Sequence, residues 1–186
     1  MSLWVFGYGS LLWNPGFTPE ESAVARLDGF ERSFCMLSIH HRGTEEVPGL
    51  VLALDETPGA RCTGMALKVR PEEEPRVLAE LRERELVSSA YQERHLPVVL
   101  ADGRIVTAVT YVVDRAHRQY CRFDEAVQAE MIARASGGRG PNPEYLFNTA
   151  AHLGEIGLAD PALDALAERV RALVATVPGS GGANAG

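Results

Sequence analysis

The sequence predicts an α+β fold: a mostly antiparallel sheet curled into a small barrel, with helices packed outside it. Two observations carry the prediction. Strand-like runs crowd the first part of the chain and helical patterns are weighted to its end, and neither a β-α-β rhythm nor an internal repeat interrupts that order. A length of 186 residues suits one domain with a sizeable core. That domain is expected over residues 1–177, with a Gly/Ser/Ala-rich disordered tail over 178–186.

The elements follow in order. Leu3 to Tyr8 is apolar and aromatic and reads as a buried strand. It runs into the Gly-punctuated loop Gly7-Tyr8-Gly9-Ser10-Leu11-Leu12-Trp13-Asn14-Pro15-Gly16. Short β-like runs follow at Ala23–Leu27, Phe30–Ile39, Gly49–Leu54 and Gly64–Val69, separated by Asp-Gly, Arg-Gly, Pro-Gly and Gly-Ala pairs that read as turns. Pro71 opens a helix to about Val87, with Glu72, Glu73 and Glu74 in the first turn, where carboxylates favour the helix dipole. Arg94–Leu100 and Arg104–Val113 form a hairpin through Ala101-Asp102-Gly103. Helices are expected at Phe123–Ala135 and Glu144–Ile156, with Ser136–Pro141 a flexible loop between them. Asp160-Pro161 caps and starts the last helix, whose apolar stripe is Leu163, Leu166, Val170, Leu173, Val174 and Val177.

Composition narrows the function classes. The formal net charge is −7, and arginines are interleaved with acids as in Arg82-Glu83-Arg84-Glu85, so no basic patch for nucleic acid is present. No apolar run reaches the roughly 18 residues of a membrane span, and the N-terminus lacks the basic start and cleavage site of a signal peptide. The expectation is a cytoplasmic protein. Its three cysteines, Cys35, Cys62 and Cys121, are odd in number and show no C-x-x-C spacing, which disfavours a disulfide framework and a thiolate zinc site. Cys35 sits in the apolar run Phe34-Cys35-Met36-Leu37 and reads as core. The histidines include the pair His40-His41 but no H-x-x-x-H spacing, so no metal is expected.

One carboxylate breaks the pattern. With Val77 as origin on a helical wheel, Leu81 falls at about 40°, Glu85 at about 80° and Leu78 at about 100°. Glu85 therefore lies on the apolar stripe, while Glu80 and Glu83 fall on the opposite side. A carboxylate turned to the core is costly unless paired or protonated, and desolvation raises its pKa toward that of a useful acid or base. Two structural alternatives stand beside catalysis: a glutamate at a fraying helix end, or one paired with Arg82 or a distant arginine.

Five segments in order carry a resemblance. Trp4-Val5-Phe6-Gly7-Tyr8-Gly9-Ser10-Leu11 with Trp13 resembles the opening of the ChaC-like γ-glutamylcyclotransferases. His41-Arg42-Gly43 before Gly49-Leu50-Val51, Arg84-Glu85-Leu86 with Tyr91, Asn142-x-Glu144-Tyr145-Leu146 and the C-terminal helix follow, over Leu3 to about Leu173. The chain departs from the family at Ser88-Ser89-Ala90, where many members carry Gly, and at Leu67, where an aromatic residue is common.

The resemblance implies a barrel of the γ-glutamylcyclotransferase-like type and a lyase-type reaction without cofactor, converting glutathione to 5-oxoproline and cysteinylglycine. It implies Glu85 as the catalytic acid/base and Tyr8, Gly9, Ser10 and Leu11 as the substrate-binding loop. Tyr91 and Tyr145 are candidates for hydrogen bonds to substrate, or else core tyrosines with satisfied hydroxyls. Arg42 is a candidate for a bidentate grip on a substrate carboxylate, or else a surface ion-pair partner. Ser10 is otherwise a turn serine, and Asn142 a helix cap. Two other functions stand as alternatives: a cyclotransferase for other γ-glutamyl amines or amino acids, and a non-catalytic module that holds γ-glutamyl ligands.

Overall fold

The computed structural model describes residues 1–176. The tail expected over 178–186, like Val177, lies outside them. Trp4–Gly7 (β1) is the apolar opening run, and all four residues are buried. It needs no polar alternation because both of its faces are covered, one by the barrel interior and the other by the helix Glu74–Glu85. β3 (Gly49–Lys68) runs antiparallel to it, with Trp4 facing Lys68 and Gly7 facing Met65. β5 (Ile105–Val113) runs parallel to it, with Trp4 facing Ala108. With β2 (Glu21–Ser38) and β4 (Tyr91–Leu100), the strands close in the order β1-β3-β2-β4-β5. Closure leaves no open sheet edge. The ladders β1–β3, β2–β4 and β4–β5 are antiparallel, and β5 completes the ring through parallel pairing with β1 and with β3. The barrel is therefore mixed.

Side chains alternate through this wall with the period of two that strands impose. Trp4 and Phe6 enter the barrel interior with Leu27, Leu54, Val98 and Val112. Val5 points the other way and meets Val77 and Leu81 of α1 (Glu74–Glu85) on the outer face. Burying each of those two helix side chains contributes about 1.5–3 kcal/mol. The start of the helix is tied to β1 as well: the Leu3 N–H donates to Glu74 Oε1 at 2.8 Å. Pro71–Glu73 form a 3-10 turn before the regular helix, which stops at Glu85 rather than near Val87, with the Leu86 N–H donating to the Arg82 carbonyl at 2.9 Å.

Two expected turns are not turns. Asp28-Gly29 lies inside β2 and Pro58-Gly59-Ala60 inside β3. Gly29 has φ +85° and Gly59 φ +83°, so each glycine bends a continuous strand, as residues at bulges and barrel corners do. The Ala101-Asp102-Gly103 link is the tight hairpin the sequence announces: Gly103 N–H donates to the Leu100 carbonyl and Arg104 N–H to Asp102 Oδ1. β4 begins at Tyr91 rather than Arg94, because its polar first residues still pair with β5. Leu67, the departure from an aromatic residue, is buried opposite Val5 and is a change of packing.

Contacts divide the chain into two compact units. The first, residues 1–37 with 51–122, contains the barrel and α1. The second, residues 38–50 with 123–176 among those described, is mainly helical. In it α2 (Glu125–Arg134) is capped by Asp124, which accepts from the Val127 N–H at 2.9 Å. α3 (Asn142–Glu155) and α2 both pack on α4 (Pro161–Thr176). Asp160 caps α4 as expected, accepting from the Ala162 and Leu163 N–H groups. Leu163, Leu166 and Val170 are buried along α4, whereas Val174 is exposed.

Residues Ser136–Pro141 are not a flexible loop. Ser136–Gly137 (β6) and Gly140–Pro141 (β7) form a tight hairpin, and the Gly138 and Arg139 N–H groups donate to the carbonyls of His40 and His41 at 2.7 and 2.8 Å. Gly43 lies under this crossing, where a Cβ would meet Gly49 N at 2.1 Å, so only glycine fits. Asn142 caps nothing. It is fully buried, its Nδ2 donates to the Leu50 carbonyl and its Oδ1 accepts from the Leu50 N–H, both at 2.8 Å. The side chain thus completes the backbone pairing of the first residues of β3.

The turn from α1 into β4 holds a residue in the left-handed region. Ser89 has φ +56° and is the non-glycine residue with positive φ among those described. An L side chain in the left-handed region costs about 1–2 kcal/mol, partly offset by the freedom glycine gains when unfolded. Ser89→Gly should therefore raise stability in urea denaturation, by about 0.5–1 kcal/mol. A loss of stability would show that the serine side chain holds this turn.

Candidate functional site

Packing of Val77 and Leu81 on the barrel wall sets the rotation of α1, and this rotation fixes where Glu85 points. Val77 and Leu81 are 1% and 3% exposed and the Glu85 side chain is 18% exposed, whereas Glu83 is open to solvent. Burial pushes the Glu85 carboxyl above the usual carboxylate range, and the neighbouring Arg84 guanidinium draws it part of the way back. The nearest contact between them is 3.5 Å, from Arg84 Nε to Glu85 Oε1.

Pairing with Arg82 is ruled out as the explanation of Glu85. Arg82 grips Glu93 of β4 through two hydrogen bonds of 2.8 Å. That pairing holds the Glu93 carboxyl below its usual range, with a further hydrogen bond of 3.2 Å from the Tyr111 hydroxyl. Tyr111 of β5 feels the charge of both carboxylates. Burial first, then the charges of Glu93 and Glu85, push its hydroxyl pKa far up, so it remains a protonated donor.

The loop after β1 meets this cluster. Gly9, at φ −142° and ψ −124°, leads into a 3-10 turn at Ser10–Leu12. Leu12 N–H donates to the Gly9 carbonyl at 2.9 Å and Asn14 N–H to the Ser10 carbonyl at 2.8 Å. Tyr8 donates its hydroxyl to the Tyr111 carbonyl at 3.2 Å. Arg84 reaches back to the same loop, donating to Ser10 Oγ at 2.7 Å and to the Asn14 carbonyl at 2.8 Å.

Of the residues singled out by sequence, Tyr8, Gly9, Ser10, Leu11, Glu85 and Tyr91 all belong to the barrel unit. Leu11 is 5% exposed and packs with Val5, Val77 and Leu81, so it can offer a ligand only its backbone. Tyr91 is half-buried, packed against the clusters around Tyr111 and around Val113. Arg42 and Tyr145 belong to the helical unit. There the Arg42 guanidinium stacks 5.7 Å from the Tyr145 ring centroid and donates to the Pro141 carbonyl at 3.2 Å.

Sequence reasoning missed Arg84, Glu93 and Tyr111 as parts of this cluster. Alternation along β5 was the available signal for Tyr111: Ala108 and Val112 enter the barrel interior, while Val109 and Tyr111 join the outer cluster of α1. The three cysteines are buried and none forms a disulfide. Burial pushes the Cys35 thiol up to about 12 and Cys121 to about 11, which keeps both as unreactive thiols. Among the described residues no three His, Cys, Asp or Glu side chains gather as a metal site, and no helix is long and apolar enough to cross a membrane.

The family model of the ChaC-like proteins matches residues 3–173. The chain is 38% identical over 174 residues to the glutathione-specific gamma-glutamylcyclotransferase of Escherichia coli K12, covering 93% of this chain and 74% of that protein. It is 32% identical to gamma-glutamylcyclotransferase 2-3 of Arabidopsis thaliana, covering 92% of this chain and 89% of that one. The crystal structure of the yeast gamma-glutamyl cyclotransferase specific to glutathione superposes with a TM-score of 0.80 over 92% of this chain and 96% of that one, at 23% identity, and so shares the fold. The chain belongs to the ChaC-like protein family.

Proposed function

We propose that this protein cleaves glutathione to 5-oxoproline and cysteinylglycine, with Glu85 as the acid/base. The observation that carries the proposal is a carboxylate desolvated at the end of α1, beside the Tyr8–Leu11 loop. The names of the bacterial and yeast relatives support glutathione as the substrate.

The reaction needs little from the enzyme beyond shape and proton transfer. The substrate's α-nitrogen attacks its own γ-carbonyl, a five-membered ring closes, and the amide bond to the cysteine nitrogen breaks. The α-nitrogen goes from ammonium to lactam N–H, and the leaving nitrogen from amide to ammonium. The protons lost on one side are gained on the other, and no water enters the products. Folding the substrate so that amine meets carbonyl can be worth about 7–11 kcal/mol. Glu85 takes a proton from the ammonium and returns one to the leaving nitrogen, the task for which a raised carboxyl pKa suits it. The Gly9, Ser10 and Leu11 backbone N–H groups are the proposed cradle for a substrate carboxylate or the developing oxyanion, and Tyr91 a proposed hydrogen-bonding partner. No cofactor has a part in this scheme. Three cysteines outside any disulfide agree with a cytoplasmic, reducing setting. A non-catalytic binding module fits the site less well, because holding an ammonium group does not need a carboxylate whose pKa burial has raised.

Glu85→Gln should abolish turnover while preserving fold and most substrate affinity. The side chains are nearly isosteric, and the loss should fall on kcat by about 10²–10⁴-fold or more. Glu83→Gln, exposed on the same helix, should remain within about 0.5 kcal/mol of wild type in stability and active. Loss of activity in Glu83→Gln with retention in Glu85→Gln would overturn the catalytic assignment.

N-acetylated glutathione should be inert, because its amide nitrogen is a poor nucleophile. Efficient release of cysteinylglycine from it would point to hydrolysis by water instead.

A further inference from the structure

One guanidinium touches both halves of the proposed site. Arg84 Nη2 donates to Ser10 Oγ at 2.7 Å, Nη1 donates to the Asn14 carbonyl at 2.8 Å, and Nε lies 3.5 Å from Glu85 Oε1. Ser10 and Asn14 are the two ends of the turn, which its own hydrogen bonds make into one body. Holding those ends holds the turn.

Among the described residues, Arg84 is the cation within ion-pair distance of Glu85. The groups that interact with Glu85 include Arg84 from its own helix and Tyr111 from β5. Behind the Tyr111 hydroxyl stands Glu93 of β4, which is gripped by Arg82 and lies 3.7 Å from His95 Nε2. Arg82, the other arginine at this helix end, is thus engaged on Glu93, and Arg84 is the cation beside Glu85.

We propose that Arg84 is a positioning residue for the reaction: it fixes the substrate loop against the end of α1 and sets its positive charge beside the Glu85 carboxylate. The proposal rests on the reading of Glu85 as the acid/base. The three contacts leave the guanidinium in three directions, a task for a planar fork that a lysine ammonium cannot repeat, although lysine would keep the charge. Charge and tether can therefore be separated by substitution.

The test compares wild type, Arg84→Gln, Arg84→Lys and Ser10→Ala by three readouts. These are carboxyl-carbon NMR titration of Glu85 without substrate, amide hydrogen exchange at Leu12 and Asn14, and KM and kcat for glutathione. Removing the positive charge disfavours the carboxylate, so Arg84→Gln should move the Glu85 midpoint to higher pH. It should also speed loop exchange and lower kcat/KM by about 10–100-fold, the scale of a small misplacement of substrate. Arg84→Lys should restore the midpoint but not the loop protection. Ser10→Ala should speed loop exchange and leave the midpoint in place, and it tests the tether even if Arg84→Gln folds poorly. Unchanged titration and unchanged loop exchange in Arg84→Gln would overturn the proposal. Absence of 5-oxoproline from wild type would overturn the functional reading instead, while the titration and exchange still decide what Arg84 does.

Discussion

The site depends on how α1 is seated. Val77 and Leu81 must meet Val5 on the outer barrel wall, and once they do, the helix period carries the Glu85 side chain into the same sheltered face. The fold thus places a carboxylate where solvation is poor. Its destabilising effect is limited by position: Glu85 is the last residue of the helix, 18% exposed, with a guanidinium 3.5 Å away. A deeper site would hold the acid neutral throughout, and an exposed one would leave its pKa ordinary. Hydrophobic packing sets the geometry, and one arginine tempers its electrostatic consequence.

The same packing ties the remaining parts together. β1 lies between β3 and β5, and its residues feed alternately into the barrel interior and the helix-covered face. The loop leaving β1 returns to α1 through Arg84, and Tyr8 returns to β5 through its hydroxyl. Glu93 and Glu85 both act on Tyr111 yet are shifted in opposite directions, one by a bidentate arginine and the other by burial. This separation distinguishes a structural ion pair from a carboxylate suited to proton transfer.

Much of this was legible in the sequence, for identifiable reasons. The position of Glu85 followed from helix periodicity, which is local. The β4–β5 hairpin followed from turn chemistry with strands on either side. Asp28-Gly29 and Pro58-Gly59 misled because glycine with positive φ serves a strand bend as well as a turn, and only the barrel decides between them. The hairpin over Ser136–Pro141 was hidden because it is held by His40 and His41, far away in sequence. Asn142 was read as a cap because its partner, Leu50, is equally remote. Arg84 looked like one charge in a solvated run, and its contacts with Ser10 and Asn14 span the distance from helix end to first loop. Long-range polar partners of this kind have no periodic signature.

The central claim is that the substrate's own amine, not water, breaks the γ-glutamyl bond. The most direct measurement is incubation of the purified protein with glutathione in heavy-oxygen water, with mass spectrometry of the products. Cyclisation predicts 5-oxoproline and cysteinylglycine in equal amounts, with no heavy oxygen incorporated into either during cleavage. Glutamate carrying heavy oxygen at its γ-carboxylate, or glutathione left intact, would contradict it.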